Sequence, residues 1–198
     1  MIKFLGETNQ TSDLIKHYYN AALEKNEQYA DACCISTISN NRNPDSRFVN
    51  IKYIKDNQLI FFTNYNSKKS IQIALNKSAS LVFFWKEINV QIRMQGEISM
   101  TSEEFSDRHF QQRSFDKNVA AIISEQSKTA ESYDQIVESY NTAKKYYADK
   151  PIKRPKYWGG FEFNYKNFEL WKGNDSRLNE RYFYEKIGKN WECETLQP

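Results

Sequence analysis

Histidine, glycine, proline and cysteine are all scarce in this chain of 198 residues, which contains 2, 6, 4 and 3 of them respectively. No GxSxG, HExxH, Walker A or GxGxxG pattern occurs, so the usual motifs for an activated serine, a catalytic zinc or a phosphate-binding loop are absent. The low glycine and proline content excludes fibrous and low-complexity chains. Because 13 Phe, 13 Tyr and 4 Trp are available for burial, we expect one domain over residues 1–198 with a sizeable core.

The few cysteines indicate neither a disulfide framework nor a metal centre. Cys33 and Cys34 lie in the apolar stretch ACCIST and are interpreted as small core residues of a strand, and Cys193 is the third. An odd number of cysteines, without a CxxC pattern or a nearby histidine, argues against both kinds of site. The opening MIKFLGETNQ lacks the apolar core of a signal peptide, and no apolar run approaches membrane-spanning length. We therefore expect a protein of the reducing cytoplasm with no metal.

The net charge of +3 is small and spread along the chain. A balance of this kind does not demand a polyanionic partner, because nucleic-acid and membrane binding usually need a concentrated basic patch. We expect neither a nucleic acid nor a membrane as partner.

Alternating apolar patterns and turn residues predict a mainly β chain. The strands are predicted over 31–39, 47–54, 59–63, 80–85, 90–100 and 161–171, and as a hairpin over 181–196. Helices are predicted over 11–29, 70–75, 101–113 and 129–148. So many closely spaced strands leave no room for βαβ crossovers. We predict an antiparallel barrel with peripheral helices.

Local signals add detail to this prediction. Thr11 or Ser12 is the expected cap of the first helix, and TSEE at 101–104 matches a capping box. The strands 47–54 and 59–63 are expected to form a hairpin. In the strand 90–100, Val90, Ile92 and Met94 are expected to share one face and Gln91, Arg93 and Gln95 the other.

The segment NSKKS places two lysines where a helix is expected to start. Ser67 has the position of an N-cap, and Lys68 and Lys69 follow it. The amino end of a helix carries partial positive charge, so cations are unfavourable there. A bound phosphate would accept backbone N–H groups and would pair with both lysines. The pattern therefore favours an anion site.

Other basic residues are candidates for the same kind of site. Each of them, taken alone, is more simply explained as a solvated surface cation: they are Arg47 with Lys52, Arg113 with Lys117, and Arg177 with Arg181. Arg47 and Lys52 are five residues apart, so a regular strand would point them to opposite faces. They could serve one ligand only through a bulge, or they could serve two ligand groups.

Five motifs in chain order make the sequence resemble the pyridoxamine (pyridoxine) 5′-phosphate oxidases. These are RFVNIK at 47–52, FFTNYNSKK at 61–69, QS at 126–127, PKYWGG at 155–160 and FELWKGNDSRLNER at 168–181. The resemblance covers the chain from about residue 28 to its end. It implies an FMN-binding split barrel, with a six-stranded antiparallel, Greek-key-like barrel preceded by a helical segment at 1–28. The sequence leaves open whether the first ten residues are mobile or form a lid.

The resemblance also implies the cofactor site. The residues expected to bind FMN are Arg47, Phe48, Val49, Lys52, Phe62, Thr63, Lys68, Lys69, Gln91, Gln126, Ser127, Trp171 and Arg181. Arg47, Lys68 and Lys69 are expected to hold its phosphate. In this family FMN lies across the interface of a homodimer, so some of these residues would come from the second subunit.

On the substrate side, the resemblance implies a clamp for a second phosphate and two catalytic residues. Lys52, His109, Arg113 and Lys117 correspond to the clamp, and Arg177 and Asn179 are the expected catalytic residues beside the substrate. Three of these positions depart from the family pattern. His109 replaces a tyrosine, Lys117 a serine, and Asn179 the histidine of the RLHDR fingerprint, so Asn179 retains hydrogen bonding without titration.

The resemblance implies an enzyme that oxidises pyridoxine or pyridoxamine 5′-phosphate to pyridoxal 5′-phosphate, with O2 as electron acceptor. The three departures keep alternatives open, because a fold does not determine a function. One is an FMN oxidoreductase for another anionic substrate, such as a phenazine precursor. Another is a non-catalytic protein that binds FMN or pyridoxal phosphate. A barrel with merely solvated cations is a third.

Overall fold

Ten strands and five α-helices make up the computed structural model, which describes residues 1–198. The strands are β1 (Lys3–Phe4), β2 (Ala32–Ile38), β3 (Pro44–Asn50), β4 (Tyr53–Lys55), β5 (Gln58–Asn64), β6 (Ser78–Trp85), β7 (Val90–Met100), β8 (Trp158–Lys172), β9 (Glu180–Ile187) and β10 (Asn190–Thr195). The helices are α1 (Gln10–Glu24), α2 (Lys68–Leu75), α3 (Glu103–Gln111), α4 (Phe115–Ile123) and α5 (Tyr133–Tyr147). None of these helices has the length and apolar character needed to cross a bilayer.

All ten strands belong to one curled sheet, in the order β1-β4-β5-β8-β7-β6-β2-β3, with β9 and β10 attached beside β8. Every pairing is antiparallel except the short parallel contact of β1 with β4. The long strand β8 pairs with β7 along one edge, while β5 and then β9 share its other edge. The sheet forks at β8 and curls into a half-barrel, which confirms the mainly β split barrel expected from the sequence.

The core lies inside the curl of the sheet, under helix α1. Its main cluster contains 25 buried residues. On β7, Val90, Ile92 and Met94 are at most 1% exposed, while Gln91 and Arg93 on the opposite face are only partly buried. The predicted alternation is thus confirmed. Full burial of such apolar side chains contributes about 1.5–3 kcal/mol each, which makes this inner face the main source of stability.

The helix starts differ from the predicted ones by one to four residues, the largest difference being at α5, which begins at Tyr133 and not at residue 129. Asn9 caps α1, because its Oδ1 accepts hydrogen bonds from the backbone N–H of Thr11 (3.1 Å) and Ser12 (3.0 Å). The helix ends at Glu24, before Asn26 with its positive φ of 60°, and not at residue 29. Ser102 rather than Thr101 caps α3, through the N–H of Phe105. Helix α4 was not predicted as a separate element.

The predicted strand 47–54 is two strands. β3 ends at Asn50 and pairs with β2, whereas β4 begins at Tyr53 and alone forms the expected hairpin with β5. Between them the N–H of Ile51 donates to Asp31 O and that of Lys52 to Ile60 O, both at 2.8 Å. The prediction of one continuous strand was wrong because the chain changes pairing partner here.

The cysteine pair is divided by the pleat of β2. Cys33 is fully buried in the core, but Cys34 lies on the outer face and is only partly buried. The interpretation of both as core residues was wrong, because neighbouring residues of a strand face opposite sides of the sheet.

Gly96 marks the one irregularity in the pairing of β7 with β8. The register shifts between Gln95 and Gly96, which leaves Lys166 of β8 as an extra residue. A Cβ atom at Gly96 would lie 2.0 Å from the backbone oxygen of Asn164, so only glycine fits this close approach.

We expect Gly96→Ala to destabilise the fold by about 2 kcal/mol or more, because the clash is with backbone that cannot move aside cheaply. Glu97→Ala, which alters an exposed residue next to it, should cost at most about 1 kcal/mol. Chemical denaturation of both variants measures the difference. Equal stability of the two variants would contradict the close approach.

Candidate functional site

Helix α2 begins at Lys68, and a loop distant in the chain accepts the hydrogen bond of its first backbone N–H. Ser67 has the N-cap position but its side chain makes no capping hydrogen bond; its Oγ lies 2.9 Å from Ser70 Oγ instead. The N–H of Lys68 donates to Ser127 Oγ at 3.2 Å. The loop after α4 therefore closes over the positive end of the helix, which is the kind of place where proteins bind anions.

Lys69 is a buried cation, with 7% of the residue exposed. Its Nζ donates to Thr63 Oγ1 at 2.9 Å and to Ser67 Oγ at 3.1 Å, and Gln126 Oε1 lies 3.5 Å away. None of these partners is an acid. Burial, together with the nearby Arg47, lowers the pKa of Lys69 to about 8. A buried ammonium group held only by neutral oxygens is well suited to an added anion.

Lys68 differs from its neighbour because it already has an acidic partner. It is largely exposed, and its Nζ lies 2.8 Å from Asp45 Oδ2. The same carboxylate oxygen lies 3.0 Å from Nη2 of Arg47, which also donates to Gln72 Oε1 at 3.1 Å. Of the two lysines at the helix start, only Lys69 thus lacks an acidic neighbour.

The break between β3 and β4 brings Arg47 and Lys52 to the same cavity. A continuous strand would have turned them to opposite faces, but β3 ends at Asn50 and Lys52 lies in the link before Tyr53. Its Nζ forms a 2.7 Å ion pair with Asp31. One site can therefore use both cations without a bulge in a regular strand.

Flat side chains line the other side of the cavity. The rings of Phe62 and His109 are stacked, with centroids 3.6 Å apart and planes 10° apart. Trp158 lies nearly parallel to Phe62 at 5.5 Å. Gly160 faces Phe62 in the pairing of β5 with β8, and a Cβ there would lie 2.9 Å from the ring. The glycine of the PKYWGG motif therefore makes room for this aromatic wall.

His109 is a neutral group at pH 7. Burial lowers its pKa to about 4, and the neighbouring cations Arg113, Lys52 and Lys3 contribute in the same direction. Its Nδ1 lies 3.0 Å from the hydroxyl of Tyr53. His109 can therefore give or accept a hydrogen bond in the cavity, but it adds no charge at neutral pH.

Arg113 has an unused hydrogen-bonding group. Its guanidinium carbon lies 4.3 Å from the centre of the Trp158 ring, and its Nη2 donates to the backbone oxygen of Lys117 at 3.0 Å. Its Nη1 is buried without a partner. Burial lowers the pKa of Arg113 to about 10, so the group stays charged at neutral pH. An unsatisfied buried donor on a cation is another feature that fits an anion.

One cavity of about 620 Å³ collects most of the predicted site. The predicted residues that line it are Arg47, Phe48, Val49, Lys52, Phe62, Thr63, Lys68, Lys69, His109, Arg113, Lys117, Gln126 and Ser127. Six of these side chains are lysine or arginine. Anion binding therefore suits both ends of the cavity, at the start of α2 and near Arg113.

The remaining predicted residues lie elsewhere on the chain. Gln91, Trp171 and Arg181 are side by side on β7, β8 and β9, where Arg181 Nε donates to Glu169 Oε1 at 2.8 Å. Arg177 and Asn179 lie in the loop between β8 and β9 and do not line the cavity of the same chain.

The loop with Arg177 and Asn179 holds itself together. Asn179 Oδ1 accepts a hydrogen bond from the N–H of Asn174 at 3.1 Å, and Arg177 has a positive φ of 67°. Within one subunit, the residues predicted as catalytic therefore form a separate group from the cavity.

The sequence did not indicate Ser46 and Asn50, which also line the cavity, or three residues with clearer contacts there. Asp45 lines the cavity as its one acidic side chain, Trp158 forms part of its wall, and Tyr53 supports His109 from behind. Trp158 belongs to the PKYWGG motif, but the motif alone predicts no role for it. Nothing in the turn NNRNPDS indicated that Asp45 would lie beside Arg47 and Lys68.

Comparisons with known proteins agree with this geometry. The family model described as pyridoxamine 5′-phosphate oxidase matches residues 19–144, and the model of the pyridoxine 5′-phosphate oxidase C-terminal dimerisation region matches residues 158–198. A pyridoxine/pyridoxamine 5′-phosphate oxidase of Hydrogenovibrio crunogenus is 37% identical over 184 residues, 91% of this chain and 85% of that protein. One from Legionella pneumophila is 32% identical over 98% of this chain and 92% of its own.

Solved structures agree on the fold. PhzG from Burkholderia lata, solved in complex with tetrahydrophenazine-1-carboxylic acid, superposes with a TM-score of 0.89 at 23% identity, over 95% of this chain and 92% of its own. An FMN-binding protein of Nostoc punctiforme related to pyridoxamine 5′-phosphate oxidase gives a TM-score of 0.79 at 18% identity, over 98% of this chain and all of its own. The chain therefore belongs to the pyridoxamine 5′-phosphate oxidase family of FMN-dependent oxidoreductases.

Proposed function

We propose that this protein oxidises pyridoxine or pyridoxamine 5′-phosphate to pyridoxal 5′-phosphate, with FMN as cofactor and O2 as electron acceptor. The observation that carries the proposal is the single cavity with cations at both ends, one set at the start of α2 and the other near Arg113. A phosphorylated cofactor and a phosphorylated substrate that meet in one site need two anion-binding ends of this kind.

The residues at the start of α2 fit the phosphate of FMN. Lys69 offers a buried ammonium group without an acidic partner, and Arg47 and Lys68 lie on the same side of the cavity. Phosphate oxygens would replace part of the hydration that Lys69 loses on burial, and the positive end of α2 favours the same charge. Thr63, Gln126 and Ser127 are placed to hold the phosphate or the adjoining chain of the cofactor.

The other end fits the phosphate of the substrate. Arg113 lines this region with a charged guanidinium group whose buried Nη1 has no partner, and Lys117 and Lys52 add two further cations. His109 contributes a neutral hydrogen bond, supported by Tyr53. Charge-assisted hydrogen bonds of this type are about twice as strong as neutral ones, so they suit recognition of a dianion.

The register of the sheet supports a homodimer as the complete site. Phe48 lines the cavity, is 75% exposed and therefore lies on the outward face of the sheet. The residues paired with it across successive strands, on the same face, are Cys34, Val82, Arg93 and Glu169. Because side chains alternate along each strand, Gln91, Trp171 and Arg181 lie on this same outward face. The chain also contains the family's dimerisation region at 158–198. Pairing of two outward faces would bring the second group of residues to the cavity of the partner.

In this dimer, Arg177 and Asn179 of the partner subunit would complete the substrate end of the cavity. The partner's Gln91, Trp171 and Arg181 would complete the part of the site that binds the flavin. When bound, FMN would accept the two electrons of the C4′–H bond as a hydride, and O2 with two protons would then take them as hydrogen peroxide. The alcohol pyridoxine 5′-phosphate gives the aldehyde directly, whereas pyridoxamine 5′-phosphate also needs one water and releases ammonia. Arg177 would orient the substrate ring and stabilise negative charge. Asn179 can hold a substrate oxygen or nitrogen by a hydrogen bond, but it cannot exchange a proton near neutral pH.

A second candidate function is the oxidation of a different anionic substrate by the same flavin site. His109, Lys117 and Asn179 favour it, because all three departures from the family pattern concern the substrate end. Lys117 adds a cation where the family pattern has a serine, so this end is more positive than the resemblance alone implies.

The aerobic reaction tests the proposal directly. Protein loaded with FMN should convert pyridoxine 5′-phosphate to pyridoxal 5′-phosphate and form one hydrogen peroxide per product. Unphosphorylated pyridoxine should react with a kcat/KM lower by about 100-fold or more, since the cationic clamp then has no partner. If the yellow, FMN-loaded protein turns over neither pyridoxine 5′-phosphate nor pyridoxine, the second candidate function, oxidation of a different anionic substrate, is favoured. A protein that cannot be loaded with FMN would overturn both.

The affinity for FMN is expected to fall as pH rises through about 8. Below that pH Lys69 is charged; above it the free protein loses the proton, while a bound phosphate dianion keeps the ammonium form by raising its pKa. The dissociation constant should then rise by up to about tenfold per pH unit. Quenching of flavin fluorescence measures it, with riboflavin and a Lys69→Met variant as controls that should show no such slope. A slope shared by riboflavin would rule out this origin.

Mixing of inactive subunits tests the shared site. Arg113→Met and Arg177→Met should each abolish most activity, but a mixed dimer would contain one intact site if Arg177 acts on the partner's cavity. Random reassociation should therefore restore roughly a quarter of wild-type activity. The control pair Arg113→Met with Lys117→Met, both on one cavity, should restore none. Failure of the first mixture to recover would contradict the site shared between subunits.

A further inference from the structure

The cavity contains one acidic side chain among its six cations. Asp45, at the start of β3, lines it together with Arg47, Lys52, Lys68, Lys69, Arg113 and Lys117. Asp31, the ion-pair partner of Lys52, is not part of the lining. A carboxylate that lines a proposed phosphate site would repel the ligand, so its presence there needs a physical explanation.

Asp45 is held among the cations of the cofactor end. Its Oδ2 lies 2.8 Å from Lys68 Nζ, 3.0 Å from Arg47 Nη2 and 3.2 Å from Gln72 Nε2. The hydrogen bonds from Lys68 and Gln72, together with the charge of Arg47, hold the pKa of Asp45 below its usual range. The group is therefore ionised at neutral pH, and it shares two of the three cations that the proposed phosphate would use.

Arg47 has two hydrogen-bond partners besides Asp45. The guanidinium group also donates to Gln72 Oε1 at 3.1 Å and to Thr37 Oγ1 at 2.5 Å. These neutral partners are buried and would persist if Asp45 lost its charge. The effect of the carboxylate on a neighbouring anion can therefore be separated from the position of Arg47.

We propose that Asp45 is an internal counter-ion of the cofactor-phosphate site, which weakens the hold on FMN by competing with its phosphate for Lys68 and Arg47. This inference rests on the proposed function. In this arrangement Lys69 is dedicated to the phosphate, because it has no acidic neighbour, while Lys68 and Arg47 divide their charge between the phosphate and Asp45. Asp45 sets the affinity without contacting the reacting atoms.

The test compares FMN with riboflavin, which lacks the phosphate. Asp45→Asn should bind FMN about tenfold more tightly at low ionic strength, the effect of removing one like charge a few ångströms from a dianion at the rim of a protein. Riboflavin affinity should not change. The gain in FMN affinity should shrink in 0.5 M salt, because this charge is partly exposed and open to screening. Fluorescence quenching of either flavin gives the dissociation constants.

A matched control removes the effect of net charge. Asp116→Asn makes the same change of +1 in α4, where Asp116 pairs with Lys144 on the surface and does not line the cavity. It should leave both affinities as in the wild type. Thermal unfolding of both variants confirms that each is folded.

Each other outcome overturns the inference. Unchanged FMN affinity in Asp45→Asn would mean that the carboxylate does not compete. Weaker binding of FMN alone would mean that Asp45 supports Arg47 rather than opposing the phosphate, and an equal change for riboflavin would indicate a merely structural role. If the wild-type protein binds FMN no more tightly than riboflavin, the proposed phosphate site fails and this inference fails with it.

Discussion

The buried ammonium group of Lys69 is the constraint around which the site is built. An ion removed from water costs several kcal/mol unless its surroundings replace the lost hydration, and the positive end of α2 adds to that cost. Thr63 from β5, Ser67 from the turn and Gln126 from the loop after α4 supply the replacement. Thr63 and Ser67 directly precede Lys69 in the chain, but Gln126 is 57 residues away, so the loop after α4 must fold back onto the start of α2 to complete this set.

The convergence at Lys69 is reinforced by neighbouring contacts. Asn64 Nδ2 donates to the backbone oxygen of Ser124 at 2.9 Å, and Ser127 accepts the first N–H of α2. These contacts hold the loop after α4 against the end of β5. The cation and its oxygen cage thereby determine the shape of one end of the cavity, and an anion that binds there repays part of the desolvation of Lys69.

The pleat of the sheet decides which residues can act together. Residues two apart along a strand share a face, so Gln91 and Trp171 point outward as strictly as Ile92 and Leu170 point into the core. No local rearrangement could bring Gln91 to the cavity of its own chain without placing a core residue in solvent. If these outward residues serve a flavin, as the proposed function requires, they must serve one that a second subunit holds.

The sequence was sufficient to predict features that depend on the local pattern of residues. The alternation of β7 and the general course of the strands followed from the pleat, and the resemblance supplied the split barrel. It was not sufficient where a residue's surroundings come from distant segments. The break at Ile51 depends on hydrogen bonds to Asp31 and to Ile60, which no local spacing reveals. The same is true of Asp45, whose role as a neighbour of Lys68 arises only when β3 packs beside α2.

His109 and Lys117, two departures from the family pattern at the proposed substrate end, differ in their physical consequence. His109 replaces a tyrosine of the family pattern, yet burial and then three neighbouring cations lower its pKa to about 4. A bound dianion would favour the protonated form, but it would have to overcome the burial and the neighbouring cations that lower this pKa. His109 therefore resembles the tyrosine of the family pattern, because it is a neutral hydrogen-bonding group; its ring lies beside Tyr53.

Lys117 is the less conservative change, because a serine offers a hydroxyl and the lysine a mobile charge. Its backbone oxygen already accepts a hydrogen bond from Arg113, so the lysine lies next to a guanidinium group that has a buried, unpaired donor. Two adjacent cations attract a dianion more strongly than a monoanion, since the Coulomb energy scales with the charge of the ligand. If this end binds the substrate phosphate, as the proposed function requires, Arg113 and Lys117 together would favour a dianion over a monoanion, whereas the neutral His109 would not.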